Sequence, residues 1–463
     1  MYTKYISVII ISLLLSGGLF GQSNGLKRKG ALGIAFQAVD DSTAKANYLK
    51  ETIGVYVLRV LPDATMDKMG VESGDIITKI DEYEVNSVRG VLDAIANLRA
   101  DDDIEIEYYR EGKLKTKKGN AEARPMEVSQ YGEVLYEEVS YKGNRLRSIL
   151  HLPHGIEKPP VVFYIQGYTC QSVEYPTDPN HSIRRIIDDW VKDGFAVYRI
   201  EKPNIGDSDC DKGCFELDFN EELEAFRQGY MNLKADARID SSNIFLFGHS
   251  IGGIIAPVLG ADFQPKGIIT YGTVLNSWFE YMQELTRVQG EMFNTPYAEI
   301  ERDIRNATPF WYAMFIEKKT PEEILKNPSI AAMLKEEGTL ESFKNGQFIY
   351  RHYTYWSAIQ DIELTNEWLK VKSHVLALYG EFDIQALNAN HVYKIAEIVN
   401  SHAPGKAQAQ VIKEADHGFV RFSSMEENIN SLNSNNYGRD LREKYHEGVA
   451  KATISWMQKL VNE

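Results

Sequence analysis

The five residues Gly248-His249-Ser250-Ile251-Gly252 constrain the fold of this 463-residue chain more than any other stretch. They follow an apolar run, 244–247, and precede a stretch of small and apolar residues, a pattern that predicts a buried strand, a sharp turn and a helix. Glycines two positions either side of the serine suit a turn with no room for a Cβ atom. Such a turn raises the serine hydroxyl clear of the backbone at a helix start, where it can act as a nucleophile. A chance match is the alternative, because the chain has 34 glycines.

A serine activated in this way requires a base, and His417 is the histidine best placed to supply it. The run 411–416 predicts a last strand that ends just before this residue, and Gly418 gives the following loop freedom to turn. The serine turn resembles that of the α/β-hydrolases, in which the order along the chain is nucleophile, acid, histidine. This resemblance implies an acid between Ser250 and His417.

Asp383 is the expected acid, because it follows the buried-strand pattern of residues 373–379 at the carboxyl end of that strand. It would accept a hydrogen bond from one imidazole nitrogen, fix the tautomer and stabilise the imidazolium ion. Glu381, on the same loop, competes for this role. Asp416 is less favoured, because adjacent residues of a strand point to opposite faces. For either loop carboxylate the structural alternative is a solvated acid.

A tetrahedral intermediate also needs two fixed N–H donors for its oxygen anion. Ile251, the residue after the serine, is expected to supply one of these oxyanion-hole donors. The second is expected from the loop after the predicted strand 160–165, and the N–H of Tyr168 is the candidate. Gly167 would give the backbone the freedom to aim that donor. An ordinary turn is the structural alternative for this loop.

Taken in this order, the motifs from about residue 130 to residue 463 resemble the α/β-hydrolase family. Residues 195–200 predict another parallel strand, and residues 218–230 have helical spacing. Gln166 departs from the histidine that many relatives carry before the loop glycine. The resemblance implies an α/β fold with a doubly wound, mostly parallel sheet, covered by helices on both faces. Active-site residues would lie at the carboxyl ends of the strands.

The alternation of strands and helices stops between residues 274 and 371, where helical patterns rich in aromatic residues follow. A stretch of this length is not structureless in a compact domain. The resemblance implies a helical cap, inserted at about 278–370 over the nucleophile, and the aromatic residues predict an apolar pocket. Arg351 and His352, inside the aromatic run, are candidates to bind a carboxylate or an acyl-chain head group; a solvated helix face is the alternative.

Residues 1–21 carry Lys4, an apolar run from Ile6 to Leu15 and small residues near Gly17 and Gly21. This pattern predicts a signal peptide that is cleaved after the run, which is short for a transmembrane helix. A retained membrane anchor is the alternative. The mature chain is therefore expected to be periplasmic or extracellular, with no stable membrane span.

Residues 28–120 contain, in order, a Leu-Gly-Ile loop, a strand that ends at a proline and the glycine-rich turn 70–75. These features resemble a PDZ domain of the bacterial type, which is small and β-rich. The resemblance implies that an extended peptide binds by strand addition, with its terminal carboxylate on the backbone amides of Leu32, Gly33 and Ile34. Such domains also serve as rigid arms, so a peptide-binding role and a spacer role both stay open.

The net charge of −15 and the lack of a basic run disfavour nucleic acid and anionic membranes as partners. The chain has three cysteines. In an oxidising compartment the neighbours Cys210 and Cys214 are candidates for a disulfide, and the pairing of Cys170 stays open. No histidine is close to these cysteines in the sequence, so we expect no metal site, and no motif calls for a cofactor.

The combined expectation is an exported serine hydrolase in which Ser250 attacks an ester, thioester or amide and forms an acyl-enzyme that water hydrolyses. Esterase chemistry on a small molecule is favoured. A peptidase similar to the prolyl oligopeptidase group is the enzymatic alternative, because a PDZ-like domain could deliver peptides. A non-catalytic peptide-binding protein on a hydrolase scaffold is the other alternative, and the ordered serine, aspartate and histidine speak against it.

Overall fold

A small β-rich unit begins the part of the chain, residues 25–463, that the computed structural model describes. The predicted signal peptide, 1–21, lies outside these residues. Neighbouring strands of the unit pair in the order β1-β2-β3-β5-β6, and β4 pairs with β3. The elements are β1 (Ile34–Ala38), α1 (Asp41–Ala46), β2 (Val55–Val60), α2 (Thr65–Lys68), β3 (Ile76–Ile80), β4 (Tyr83–Glu84), α3 (Val88–Ala94), β5 (Asp103–Arg110) and β6 (Lys113–Asn120).

Alternation along the strands explains the core of this first unit. In β5, Ile104, Ile106 and Tyr108 are buried, whereas the residues between them are partly exposed, as the two-residue period of a strand requires. The buried side chains pack against Val55 and Val57 of β2 in one apolar cluster. Strand β1 forms one edge of the sheet, beside helix α3.

The second unit is built on one eight-stranded sheet with the strand order β16-β15-β12-β11-β9-β10-β8-β7. All pairs from β10 to β16 are parallel, and the pairs β7–β8 and β8–β10 are antiparallel. Strands β13 and β14 form a separate hairpin. The strands are β7 (Gly132–Tyr141), β8 (Asn144–Pro153), β9 (Val161–Ile165), β10 (Ala196–Ile200), β11 (Ile244–His249), β12 (Gly267–Tyr271), β13 (Gln347–Phe348), β14 (Arg351–His352), β15 (His374–Gly380) and β16 (Ala407–Ile412).

Helices cover both faces of this sheet, because its central strands are apolar on both sides. In β9, Val161, Phe163 and Ile165 face one apolar cluster, and Val162 and Tyr164 face the other. The first cluster receives helices α5 (Phe219–Lys234), α6 (Gly252–Phe263), α13 (Leu364–Lys370) and α14 (Asn390–His402), and the second receives α4 (Ser182–Lys192) and α17 (Gly448–Val461). Helices α15 (Met425–Asn433) and α16 (Tyr437–Glu443) precede α17.

This architecture confirms the predicted fold class, a doubly wound and mostly parallel α/β-hydrolase sheet after a small β-rich unit. One predicted strand was placed wrongly: the last strand is Ala407–Ile412 and not 411–416. Its start was missed because the polar residues Gln408 and Gln410 alternate with less polar ones, as an edge strand allows. A turn that contains Glu414 at φ +58° ends the strand.

The segment between β12 and β15 is helical and packs on the first cluster of the sheet. Its helices are α7 (Trp278–Met292), α8 (Tyr297–Trp311), α9 (Pro321–Ile324), α10 (Pro328–Glu336), α11 (Leu340–Lys344), α12 (Tyr353–Ile359) and α13, with one π-helical turn at Tyr312–Ile316. Helix α7 begins with a capping box, in which Ser277 and Glu280 satisfy each other's free N–H groups. We call residues 278–370 the cap.

A buried ion network joins the two units. Arg28, which precedes β1, donates to Asp207 at 2.6 Å and to Glu174 at 2.7 Å. Asp207 also accepts the backbone N–H of Lys29 at 2.7 Å and the Nε of Arg147 at 3.1 Å. Because the carboxylate of Asp207 is fully buried and shared by both units, loss of one partner would leave an unpaired buried charge.

The disulfide differs from the pair of neighbours expected from the sequence. Cys170 is bonded to Cys214, and Cys210 is a free thiol. Cys210 instead lies where the loop returns along β8, with its backbone N–H donating to the side chain of Asn204. The bond ties the loop after β9 to the short 3-10 helix Cys214–Glu216, just before α5.

Candidate active site

Ser250 stands between β11 and α6 in the left-handed region, at φ +57°. The flanking glycines explain why this turn forms. A Cβ atom at Gly248 would collide with the carbonyl oxygen of Gly252, and one at Gly252 would collide with the carbonyl oxygen of Ile165. The serine therefore sits at a strained turn at the N-terminal end of α6, as the motif predicts.

His417 and Asp383 meet although they are far apart in sequence. The Nδ1 of His417 lies 2.7 Å from Oδ2 of Asp383, whose other oxygen accepts the N–H groups of Gln385 and Ala386 at 2.8 and 2.9 Å. Burial opposes both charged forms, but the charge of the partner outweighs it. The pKa of Asp383 is consequently lowered and the pKa of His417 is raised.

The two competing carboxylates have other partners. Glu381 is 2.6 Å from the ammonium group of Lys413 and accepts the backbone N–H of Glu414 at 2.9 Å. Asp416 is buried and accepts the N–H groups of Gly418 and Val420 and the hydroxyl of Tyr437. Its contacts shape the loop that carries His417, and of the three candidate acids Asp383 is the one that contacts the imidazole.

The sequence interpretation gave Gly272 no role. It comes directly after β12, at the carboxyl end of the strand, where site residues lie in sheets of this kind. It has φ +66°, and a Cβ atom there would lie 2.7 Å from Nδ1 of His417 and 2.9 Å from Oδ2 of Asp383. The histidine–aspartate pair therefore packs directly against bare backbone.

His249, inside the serine motif, is a second residue that the sequence interpretation left without a role. Its ring lies 5.0 Å from the ring of His417, and its Nε2 is 2.9 Å from the carbonyl oxygen of His417. Its Nδ1 is 3.2 Å from the hydroxyl of Tyr164. Burial and the nearby His417 lower the pKa of His249 to about 3, so this ring is neutral. It supports the loop that carries His417 without adding charge.

Tyr168 and Ile251, the residues expected to supply the oxyanion donors, line the cavity that holds Ser250. A Cβ atom at Gly167 would lie 3.3 Å from the serine Oγ. Within residues 25–463, the backbone N–H groups of Tyr168 and Ile251 donate to no protein acceptor. Neither of the two candidate N–H groups is thus occupied by an acceptor of the protein itself.

The cavity at Ser250 has a volume of about 250 Å³ and is lined in part by residues of the cap. Among the described residues that line it, none is acidic, basic or a histidine. The cap contributes Trp278, Tyr281 and Trp356, and the rings of Trp278 and Trp356 stack at 4.9 Å. The walls are therefore uncharged, with aromatic and aliphatic side chains.

Arg351 and His352 do not have either of the roles expected from the sequence. Arg351, in β14, is buried and donates to the carboxylate of Glu222 at 2.8 Å and to the carbonyl oxygen of Tyr168 at 2.6 Å. His352 is 2.7 Å from the hydroxyl of Thr354. The guanidinium group is occupied by protein partners because the cap folds back onto α5, which the sequence pattern does not reveal.

Within residues 25–463, no cluster of three or more His, Cys, Asp or Glu side chains is arranged to hold a metal ion. No helix in this range is both long enough and apolar enough to cross a membrane.

The first unit matches a family model described as PDZ domain over residues 30–118, which makes this part of the chain a PDZ domain. A probable periplasmic serine endoprotease of the DegP-like kind from a Marinomonas species is 31% identical over 104 residues, 22% of each chain. The periplasmic serine endoprotease DegP of Salmonella typhimurium is 27% identical over 92 residues, 20% of this chain and 19% of its own. The chain thus spans about a fifth of the length of these relatives.

Among solved structures, Est1E from Butyrivibrio proteoclasticus with ferulic acid bound is 16% identical, with a TM-score of 0.42 over 70% of this chain and 99% of its own. A Pyrococcus furiosus esterase is 14% identical, with a TM-score of 0.39 over 68% of this chain and 96% of its own. The fold assignment itself rests on the strand order and the two helical layers described above.

The close packing at Gly272 leads to a prediction with a matched control. Gly272→Ala and Gly405→Ala both place a side chain at positive φ, which costs about 1–2 kcal/mol of unfolding free energy in each. Gly405 has open space around it, whereas the methyl group at 272 presses on His417 and Asp383. We expect Gly272→Ala to lose about 1–3 kcal/mol more by overpacking and to lower the pKa of His417 toward its ordinary value.

Urea unfolding and an NMR titration of His417 measure the two effects. Equal destabilisation by both variants, with an unchanged pKa of His417, would contradict the packing described for this site.

Proposed function

We propose that this protein is a serine hydrolase that cleaves small carboxylic esters through an acyl-enzyme on Ser250. The observation that carries the proposal is the set of groups around one cavity. Ser250, in its strained turn, lines the cavity with Tyr168 and Ile251, whose N–H groups have no protein acceptor, and the buried histidine–aspartate pair packs against Gly272, which lines the same cavity. These are the parts that acyl transfer requires.

In the proposed reaction, His417 takes the proton of Ser250 as its oxygen forms a bond to the substrate carbonyl carbon. The negative charge on the carbonyl oxygen is stabilised by the N–H groups of Tyr168 and Ile251. When the tetrahedral intermediate collapses, the carbon–oxygen bond to the alcohol breaks and His417 donates its proton to that alcohol. Water then attacks the acyl-enzyme, with His417 as base, and the acid leaves as Ser250 regains its proton. Asp383 holds the tautomer and stabilises the imidazolium ion.

The cavity favours a neutral and compact acyl group. Its volume of about 250 Å³ is below the range of roughly 300–1,000 Å³ that is common for drug-sized ligands. Its aromatic and aliphatic walls suit an aromatic or short aliphatic acyl chain. A peptidase that reads a chain terminus would need a charged anchor, and the described lining residues offer none. Ester cleavage is therefore preferred to peptide cleavage.

We also propose that the protein is exported. The pattern of residues 1–21 is that of a signal peptide. A disulfide such as Cys170–Cys214 persists in oxidising compartments and is rare in the cytosol of most cells. The DegP-like relatives named above are described as periplasmic, which agrees with this location.

We propose a second role, peptide binding, for the PDZ domain. Strand β1 is an edge strand, and the neighbouring helix α3 exposes Val88 by 47% and Leu92 by 52%. A peptide that extends the sheet along β1 would cover these apolar side chains, with its carboxylate near the backbone amides of Leu32, Gly33 and Ile34. An apolar C-terminal residue is the expected ligand feature.

Three variants test the hydrolase assignment on p-nitrophenyl acetate. Ser250→Ala should abolish turnover. Asp383→Asn should lower kcat by about 10³- to 10⁴-fold, and Glu381→Gln, whose carboxylate faces Lys413, should stay within about twofold as the matched control. Because Asp383 raises the pKa of His417, Asp383→Asn should also move the acid limb of kcat/KM to lower pH.

A loss of kcat in Glu381→Gln alone would reassign the acid. Absence of turnover by the wild-type protein on esters, thioesters and aminoacyl-proline amides would support a non-catalytic role.

Fluorescence polarisation with the full chain tests the PDZ proposal. Labelled hexapeptides ending in Val or Leu should bind at least about tenfold more weakly as C-terminal amides than as free acids. Leu92→Lys should weaken binding of the free acids without changing ester hydrolysis. Equal binding of acid and amide forms would contradict carboxylate recognition by the loop at Gly33.

A further inference from the structure

Behind the loop that carries Tyr168 lies a buried group of charged residues that the proposed reaction does not use. Lys202, Glu222 and Arg351 have side chains that are at most 1% exposed. Glu222 bridges the two cations: one oxygen is 2.9 Å from the ammonium group of Lys202, and the other is 2.8 Å from the guanidinium group of Arg351. The hydroxyl of Tyr355 donates to Glu222 at 3.0 Å, and its ring lies 3.7 Å from the guanidinium carbon.

Both cations also hold the backbone of the loop. Lys202 donates to the carbonyl oxygen of Gly167 at 2.6 Å, and Arg351 donates to the carbonyl oxygen of Tyr168 at 2.6 Å. These two carbonyls stand either side of the N–H group of Tyr168. A loop with a glycine at 167 would otherwise be free to rotate that N–H away from the cavity.

We propose that Lys202 and Arg351, joined through Glu222, are positioning residues that aim and polarise the Tyr168 N–H as an oxyanion donor. This proposal rests on the hydrolase function proposed above. The three residues come from the loop after β10, from α5 and from the cap hairpin, so the cap takes part in building the oxyanion site as well as in covering it.

The direction of the peptide dipole gives the physical reason. The carbonyl of Gly167 and the N–H of Tyr168 belong to one trans peptide, so they point in opposite directions. A cation on the carbonyl oxygen draws electron density through the amide and makes the N–H on the other side a stronger donor. The positive charge of Lys202 thereby acts on the oxyanion through the peptide without entering the cavity.

The cost of burying these charges agrees with a positioning role. Replacing a buried ion pair by apolar residues is often neutral or stabilising, so a fully buried triad is poorly explained by stability alone. In this triad, each cation makes one bond to Glu222 and a second to the backbone next to Tyr168. The arrangement fixes the loop at the place where the proposed transition state carries its charge.

Two variants and one control test this proposal on the full chain with p-nitrophenyl acetate. Lys202→Met and Arg351→Met should each lower kcat by about 10- to 100-fold, because an oxyanion donor is misaligned, with KM changed less than about threefold. The control is Lys212→Met, which removes a partly exposed lysine that pairs with Glu221 and should leave kcat unchanged. Unchanged kcat in both test variants would overturn the proposal.

The pH profile is a readout that a purely structural role would not move. Burial lowers the pKa of Lys202 to about 8; Glu222 opposes this shift and Arg351 adds to it. Wild-type kcat should therefore fall as pH rises through about 8, because the ammonium group loses its proton, and Lys202→Met should lack this alkaline limb. An identical limb in wild type and Lys202→Met would contradict the proposal.

The positioning role can still be tested if Lys202→Met or Arg351→Met does not fold. Lys202→Gln keeps an N–H donor for Gly167 without a charge and should show the same loss of the alkaline limb, and the wild-type profile needs no variant.

A wild-type protein that hydrolyses no ester would overturn the proposed function. A wild-type protein that is active but insensitive to Lys202 and Arg351 would overturn only the positioning role.

Discussion

The positive φ of Ser250 is the constraint on which the rest of the site depends. The turn places the serine at the start of α6 only because residues 248 and 252 lack side chains and let backbone segments approach. Such a conformation costs of the order of 1–3 kcal/mol, which the surrounding structure has to supply. The buried β11 and the two helical layers of the sheet supply it, since they hold the ends of the turn in place.

The distribution of charge around this turn follows one pattern. The cavity is lined by uncharged residues, and the charged groups of the proposed site lie outside this lining. Asp383 contacts His417. Lys202 and Arg351 donate to the backbone carbonyl groups either side of the Tyr168 N–H. In the proposed reaction, each charge thus acts through a group that contacts the substrate, and a neutral acyl group meets no charged side chain.

Local patterns in the sequence predict the parts of the site that follow directly from strands and turns. The serine turn and the strand end before Asp383 were predicted in this way, and the structure places Asp383 against His417. Contacts made by the tertiary fold were not predictable: Arg351 lies 183 residues from the carbonyl it holds. The pairing of Cys170 with Cys214 was not predictable for the same reason. The path of the loop, and not proximity in the sequence, brings the two sulfur atoms together.

The site of covalent labelling by a fluorophosphonate tests most directly whether Ser250 is the nucleophile. Peptide mass spectrometry of the treated wild-type protein should find one adduct, on Ser250, because the proposed mechanism gives this hydroxyl the base and the oxyanion donors that the phosphonyl oxygen requires. Treatment of Ser250→Ala should give no adduct. A folded wild-type protein that stays unlabelled, or an adduct on a different serine, would contradict the assignment of Ser250 as the nucleophile.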